Sequence, residues 1–204
     1  MNVEKSLEQL ETLITQQRTN EIEGFLLEKI EDSASQEDIG SLITLMNELI
    51  GYYRESGEFE KALGYCREVL QVAARAGLAG TIPYATTLLN VANTCREGGL
   101  VREAMVHYQE VRGIYINNIE DTDFRYVNLY NGMGMLFQDM GDYESACDCQ
   151  ERALSVAVLY HEARAETAIL YTSLAIYQIK LMRYQEAIGN LRHAFALFEK
   201  DEER

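Results

Sequence analysis

The chain has 204 residues, 47% of them hydrophobic and 25% charged, with a single proline and no tryptophan. Those proportions suit a folded, water-soluble protein and argue against a disordered tail or a large sheet. The 33 acidic against 18 basic residues give a formal charge of −15. A polyanion of that sign is repelled by phosphate backbones and anionic membranes, so nucleic acid and membrane surfaces are excluded as default partners.

The N-terminus, MNVEKSLEQLE, carries acids where a secretory signal needs basic and then unbroken apolar residues. No apolar run approaches the roughly 18 residues of a membrane span. Cys66, Cys95, Cys147 and Cys149 follow no disulfide framework and read as reduced packing residues. A cytoplasmic protein is the expectation.

Residues 3–17 and 20–33 place Leu7, Leu10, Leu13 and Ile14, then Ile22, Phe25, Leu26 and Ile30, at helical spacing. NEIEGF (20–25) reads as a worn form of the next motif, with Phe25 in the place of an alanine, so residues 1–35 are predicted to be a degenerate capping hairpin. In the segment 37–77, Leu42, Leu45, Met46, Leu49, Ile50 and Tyr53 make one buried helical face. Gly57 then turns the chain into a second helix with Phe59, Ala62, Leu63, Cys66, Val69 and Leu70 inward. The same helix–turn–helix is predicted at about 82–117, 122–161 and 164–200.

Each copy is marked by a short motif: GEFEKA (57–62), GLVREA (99–104), GDYESA (141–146) and MRYQEA (182–187). The closing alanines, Ala62, Ala104, Ala146 and Ala187, lie 42, 42 and 41 residues apart (104−62, 146−104, 187−146). In the last copy Met182 replaces the turn glycine, a weaker stop. A fixed period of this size predicts an all-α, right-handed superhelical solenoid of about five hairpins, four of them repeats at about 36–78, 79–120, 121–162 and 163–204.

The first helices carry Met46, Leu49, Ile50 and Tyr53; Leu88, Val91, Ala92 and Cys95; Tyr130, Met133, Gly134 and Phe137; Tyr171, Leu174, Ala175 and Gln178. The second helices open on Phe59, Val101, Tyr143 and Tyr184, three residues before the key alanine. This pattern resembles the tetratricopeptide repeat family over nearly the whole chain. Ile50 at a small-residue site, Cys95 and Gln178 at aromatic sites, and the lack of proline between repeats depart from it. The period is about a helical turn longer per helix than the family's common form. It is similar to the arrays of kinesin light chains and of the cell-polarity adaptor with Leu-Gly-Asn repeats.

That resemblance implies a concave groove, lined by the first helices, that holds an extended peptide or a helix of a partner protein. Asn47, Asn90 and Asn131, with Asn93 and Asn128 nearby, offer donors and acceptors suited to a peptide backbone, or else pair between neighbouring helices. Arg54 and Arg96, followed by Gln138 in the same register, suit ligand carboxylates, or else balance Glu48, Glu55, Glu97 and Asp139. Tyr84 and Tyr126 start successive first helices and are candidates for a groove rim, with core packing the commoner fate of tyrosine.

No nucleophile elbow, phosphate loop or metal-ligand spacing occurs, and His107, His161 and His193 are placed on second helices without an activating neighbour. The expectation is a non-catalytic scaffold with no cofactor and no metal. The alternatives are the adaptor or regulatory part of a larger enzyme, as in bacterial proteins where such an array precedes a nucleotidyltransferase-like domain, or a peptide-pheromone sensor. On the last helix Ile188, Leu191, Phe195 and Phe198 form an apolar face that predicts further helices or an end-to-end homodimer.

Overall fold

A computed structural model describes residues 2–202, with side chains described to Glu199. Met1, Glu203 and Arg204, which the predicted limits 1–35 and 163–204 include, lie outside the described residues. Ten helices run in order: α1 (Val3–Thr15), α2 (Thr19–Ser35), α3 (Ile39–Glu55), α4 (Phe59–Arg75), α5 (Ile82–Glu97), α6 (Val101–Asn118), α7 (Arg125–Asp139), α8 (Tyr143–Ala157), α9 (Arg164–Lys180) and α10 (Tyr184–Glu202). No strand occurs among the described residues, and none of these helices is long and apolar enough to cross a membrane.

One turn joins the two helices of every hairpin. Its central residue is left-handed: Gln17 (φ 56°), Gly57 (76°), Gly99 (77°), Gly141 (76°) and Met182 (61°). The amide of that residue and the next one reach back to close the helix. Gly57 N–H donates to Arg54 O at 3.1 Å and Glu58 N–H to Tyr53 O at 2.8 Å; Met182 and Arg183 repeat the pair onto Ile179 and Gln178 at 3.0 and 2.8 Å. The last carbonyls of each first helix are satisfied in this way, and the chain reverses within three residues. Asp38, Thr81 and Asp142 cap α3, α5 and α8 through the amides of Ser41, Tyr84 and Ser145.

Two compact units divide the chain, Met1–His107 and Tyr108–Arg204, the boundary falling inside α6. In the first, Leu10, Leu13, Ile22, Leu26, Leu45, Leu49, Tyr53 and Ala62 share one core. Leu26, Leu45, Leu49, Ile50 and Ala62 have no exposed surface at all, and burying each large one is worth roughly 1.5–3 kcal/mol. Tyr53 ties three helices together. Its hydroxyl donates to Glu23 Oε1 on α2 at 2.7 Å, and Lys61 of α4 reaches the same oxygen at 3.1 Å while lying 4.9 Å from the centre of the Tyr53 ring.

In the second unit α7 crosses α8 where Gly134 faces Ala146. A Cβ on Gly134 would stand 3.0 Å from Gln150 Oε1 and 3.5 Å from the Ala146 carbonyl. Gln150 is wholly buried on α8, and its amide donates to Asn131 Oδ1 of α7 at 3.2 Å and to the Leu170 carbonyl of α9 at 3.4 Å. One side chain therefore joins three helices, while its Oε1 has no protein partner.

On α10, Tyr184, Ile188, Leu191, Phe195 and Phe198 form an exposed stripe at steps of four, three, four and three residues, with Phe195 63% exposed. The same steps on α8 give Tyr143, Cys147, Gln150, Leu154 and Ala157; the last four of these are buried, and α8 packs against α9. On α10 this face meets solvent.

Three sequence-based assignments are revised. The turn at Gln17 aligns with the turn at Gly57 at an offset of 40 residues (57−17), so Ile22, 4% exposed, stands where Ala62 stands and Phe25 is only half-buried. His161 lies in the turn after α8 and not on a second helix. Tyr126 is buried, edge-on to Tyr115 and stacked on Tyr130, and so is not a rim residue. All four cysteines are free and buried; desolvation raises the thiols of Cys66, Cys147 and Cys149 to about 11.

Met182 is a left-handed residue without glycine's freedom, and at 75% exposure it contributes little packing. Replacing it with glycine is expected to stabilise the protein by about 1 kcal/mol, the left-handed penalty less glycine's larger unfolded-state entropy. Chemical denaturation checks this; a loss of stability on Met182→Gly refutes the strain account.

Candidate functional site

The repeated turn fixes which positions of the first helices are equivalent. Three registers face away from the packing in every copy: Thr44, Thr86, Asn128 and Ile169; Gly51, Asn93, Met135 and Ile176; Arg54, Arg96, Gln138 and Ile179. None of these residues is buried, whereas their neighbours Leu49, Val91, Leu136 and Tyr177 are. All three registers end in isoleucine on α9, two of them after polar or cationic residues in every earlier copy and one after Gly51, Asn93 and Met135. Ile169, Ile176 and Ile179 of α9 are 54%, 47% and 45% exposed.

In the first unit two clefts open on α3. One, of about 410 Å³, is lined by Asn47, Glu48, Tyr84, Thr86, Thr87 and Asn90 among others. The other, of about 430 Å³, lies among α1, α2 and α3. Glu48 borders both. It was absent from the residues singled out by sequence as groove-lining, because a glutamate on a helix of an acidic protein carries no signal until its surroundings are known.

The asparagines are engaged with one another. Asn90 donates to Asn47 Oδ1 at 3.1 Å, and Asn47 donates to the Ile43 carbonyl and to Thr87 Oγ1, both at 3.0 Å. Thr87 is 1% exposed, so this network links α3 to α5 from the cleft floor. Asn131 accepts from buried Gln150. Asn93 is half-buried and Asn128 exposed. Three of the five asparagines, Asn47, Asn90 and Asn131, thus hold helices together. Asn47 and Asn131 are equivalent, but Asn90 sits one place further along, so the three do not form a single row.

The arginines meet carboxylates of the chain itself. Arg54 Nε lies 3.1 Å from Glu97 Oε2, and Arg96 Nη2 lies 2.8 Å from Glu97 Oε1. One glutamate therefore gathers both guanidinium groups, with Arg96's side chain 9% exposed. Gln138 is exposed. Glu48 and Glu55 have no such cation: burial and then the charge of Glu55 hold the Glu48 carboxyl above its ordinary range.

A third cleft of about 340 Å³, in the second unit, brings His161, Arg164, Tyr171 and His193 together, the Tyr171 and His193 rings 5.2 Å apart. Among the described residues no three His, Cys, Asp or Glu side chains converge as a metal site requires.

Successive antiparallel helix pairs joined by one repeated turn, with α3 packed beside α5 in the first unit, define an all-α helical-repeat solenoid. Residues 41–117 and 125–200 match the tetratricopeptide repeat family, and the chain belongs to it. Members of this family commonly serve as protein-interaction scaffolds. Among solved structures, BtubC (BKLC) from P. vanneervenii is similar with a TM-score of 0.85 at 20% identity, covering 98% of this chain and 81% of that one. The nearly identical repeats of a Podosopora anserina kinesin light chain give 0.76 at 15% identity, covering 99% and 97%. MamA gives 0.62 at 13% identity, covering 96% and 97%. At such identities the likeness is one of fold. No curated protein matches the chain in sequence.

The asparagine network makes a prediction about stability. Asn47→Ala strands the buried Thr87 hydroxyl and the Asn90 amide and is expected to cost about 1–2 kcal/mol, whereas Asn128→Ala is expected to cost nothing measurable. Thermal unfolding of the two variants checks this; equal midpoints would remove Asn47 from the packing.

Proposed function

We propose that the chain is a cytoplasmic, non-catalytic scaffold that holds an extended peptide or a helix of a partner protein along the outward registers of its first helices. The observation that carries this reading is the isoleucine stripe of α9. Ile169, Ile176 and Ile179 occupy positions that are unburied in every other copy, so packing within the repeat does not explain their apolar character. Exposed branched aliphatics at steps of seven and three residues on one helix favour an apolar partner segment. Asn128 and Gln138 hold the equivalent places on α7 in the same unit and offer polar groups to a partner; Asn93 holds the equivalent place on α5. Arg54, Arg96, Asn47 and Asn90 in the first unit, and Asn131 in the second, then set the shape of the surface in their own unit through the bonds they make to the chain itself.

The test places a charge on each face. Ile176→Asp is expected to weaken partner binding by about 2 kcal/mol or more, as loss of an apolar anchor does, with helicity and unfolding midpoint unchanged. Val106→Asp, on the equally exposed second helix α6, is expected to leave binding intact. Binding indifferent to Ile176→Asp, or a turnover activity of the purified chain that a point variant abolishes, sinks the reading.

The stripe of α10 favours a second interaction, pairing of two copies end to end. Its counterpart on α8 is covered by a helix, and five large side chains in a 4–3 spacing make a seam about 21 Å long that is apolar throughout and so complementary to itself. Phe195→Glu is expected to convert dimer to monomer in light scattering without loss of helicity. A wild-type chain that stays monomeric at high concentration rules the pairing out.

A further inference from the structure

The repeat supplies an internal standard for what a carboxylate at the end of a first helix requires. Glu97 ends α5, and the preceding first helix sends Arg54 across to it at 3.1 Å. Glu55 ends α3 at the equivalent place, 42 residues earlier (97−55). The residue that should reach Glu55 is the one on α1 equivalent to Arg54. The turn fixes its identity: Gly57 N–H donates to Arg54 O, and Gln17 N–H donates to Ile14 O. An isoleucine therefore stands where the guanidinium belongs, and it is 56% exposed.

Beneath this vacancy of charge lies the cleft of about 430 Å³, floored by Leu10, Ile14, Ile22 and Leu26 and bordered by Glu48 and Glu55. The cations nearby are committed elsewhere. Arg54 goes to Glu97, Arg18 to Glu21 at 2.6 Å, and Lys61 to Glu23 and Glu58 at 3.1 and 2.6 Å. Glu48 is exposed on the rim of this cleft, and partial desolvation, followed by the charge of Glu55, holds its carboxyl above its ordinary range. Holding the proton more tightly when folded than when unfolded means that ionised Glu48 subtracts from stability above that range.

We propose that this cleft receives an arginine or lysine side chain of the bound peptide, its aliphatic stem on the apolar floor and its cation between Glu48 and Glu55. The ligand would complete the ion pair that Arg54 makes with Glu97 one repeat further on. A long stem with a terminal charge fits an apolar floor with an acidic rim better than a wholly apolar or an acidic side chain does. The chain's overall charge of −15 draws the same class of ligand towards it. This inference rests on the scaffold reading and adds the chemistry of one anchor residue to it.

The experiment pans a random dodecapeptide library against the intact chain and measures the selected peptides by fluorescence anisotropy. Peptides bearing lysine or arginine next to an apolar residue are expected to be enriched. The double variant Glu48→Gln, Glu55→Gln is expected to bind them about tenfold more weakly, with an unfolding midpoint equal to or above that of the parent. Enrichment of acidic or uncharged peptides overturns the inference, as does binding that the double variant leaves unchanged. If the peptides are lost on Ile176→Asp but not on the double variant, the scaffold stands and this anchor falls; if no peptide is enriched at all, both fall together.

Discussion

The architecture depends on one close approach, the crossing within each of the four later hairpins where a second helix presents an alanine to its first helix. Ala62, Ala104 and Ala146 have no exposed surface and Ala187 has 1%. At the α7–α8 crossing the space is so limited that even a methyl group on Gly134 would meet Gln150 at 3.0 Å. A larger residue at such a point would force the helices apart and open the core behind it. The turn enforces the same geometry from the other side, because a left-handed residue two positions before the second helix's first residue fixes where that helix begins. Packing and turn are thus two halves of one constraint, and the 42-residue period is its record in the sequence.

Once the crossing is set, the remaining surface of each first helix is released from packing, and its composition reports on something else. The outward registers pass from threonine, glycine and arginine on α3 to three isoleucines on α9. A repeat protein can vary these positions at almost no cost to its fold, since each copy is stabilised by its neighbours through the inward faces. The same freedom explains why polar residues on α3 and α5 have been drawn into local service. Asn47 with Asn90 and Arg54 with Glu97 join adjacent first helices through side chains at no expense to the core. Buried Gln150 on α8 likewise joins α7 and α9 through the hydrogen bonds that its amide donates.

Much of the fold was legible in the sequence. The key alanines, the left-handed turn at Gly57 and the weaker one at Met182 are where spacing and glycine placement put them, because backbone conformation and helical periodicity are local properties. The N-terminal hairpin was read three residues out of register, with Phe25 in place of Ile22. Its turn residue is Gln17, which lacks the glycine that marked the other copies. The candidate site was legible only in outline. Asparagine and arginine were recognisable as groove-side residues, but whether each faces a ligand or a neighbour depends on partners some 40 residues away.

By itself, then, the sequence determined the hairpins and the residues at the crossings of the four that carry the repeated motif, since these rest on contacts within a few turns of chain or on a repeat that counts itself. Only the tertiary structure decided which polar groups are already used. Arg54 is answered by Glu97 and Asn47 by Asn90, while Glu55 looks across at Ile14 and finds no cation. The physical reason is that hydrogen bonds and ion pairs form over about 3 Å, and no period in a sequence specifies distances between neighbouring helices that finely. What three copies share, a carboxylate at the end of a first helix (Glu55, Glu97 and Asp139), acquires a different meaning in the one whose preceding first helix lacks the arginine.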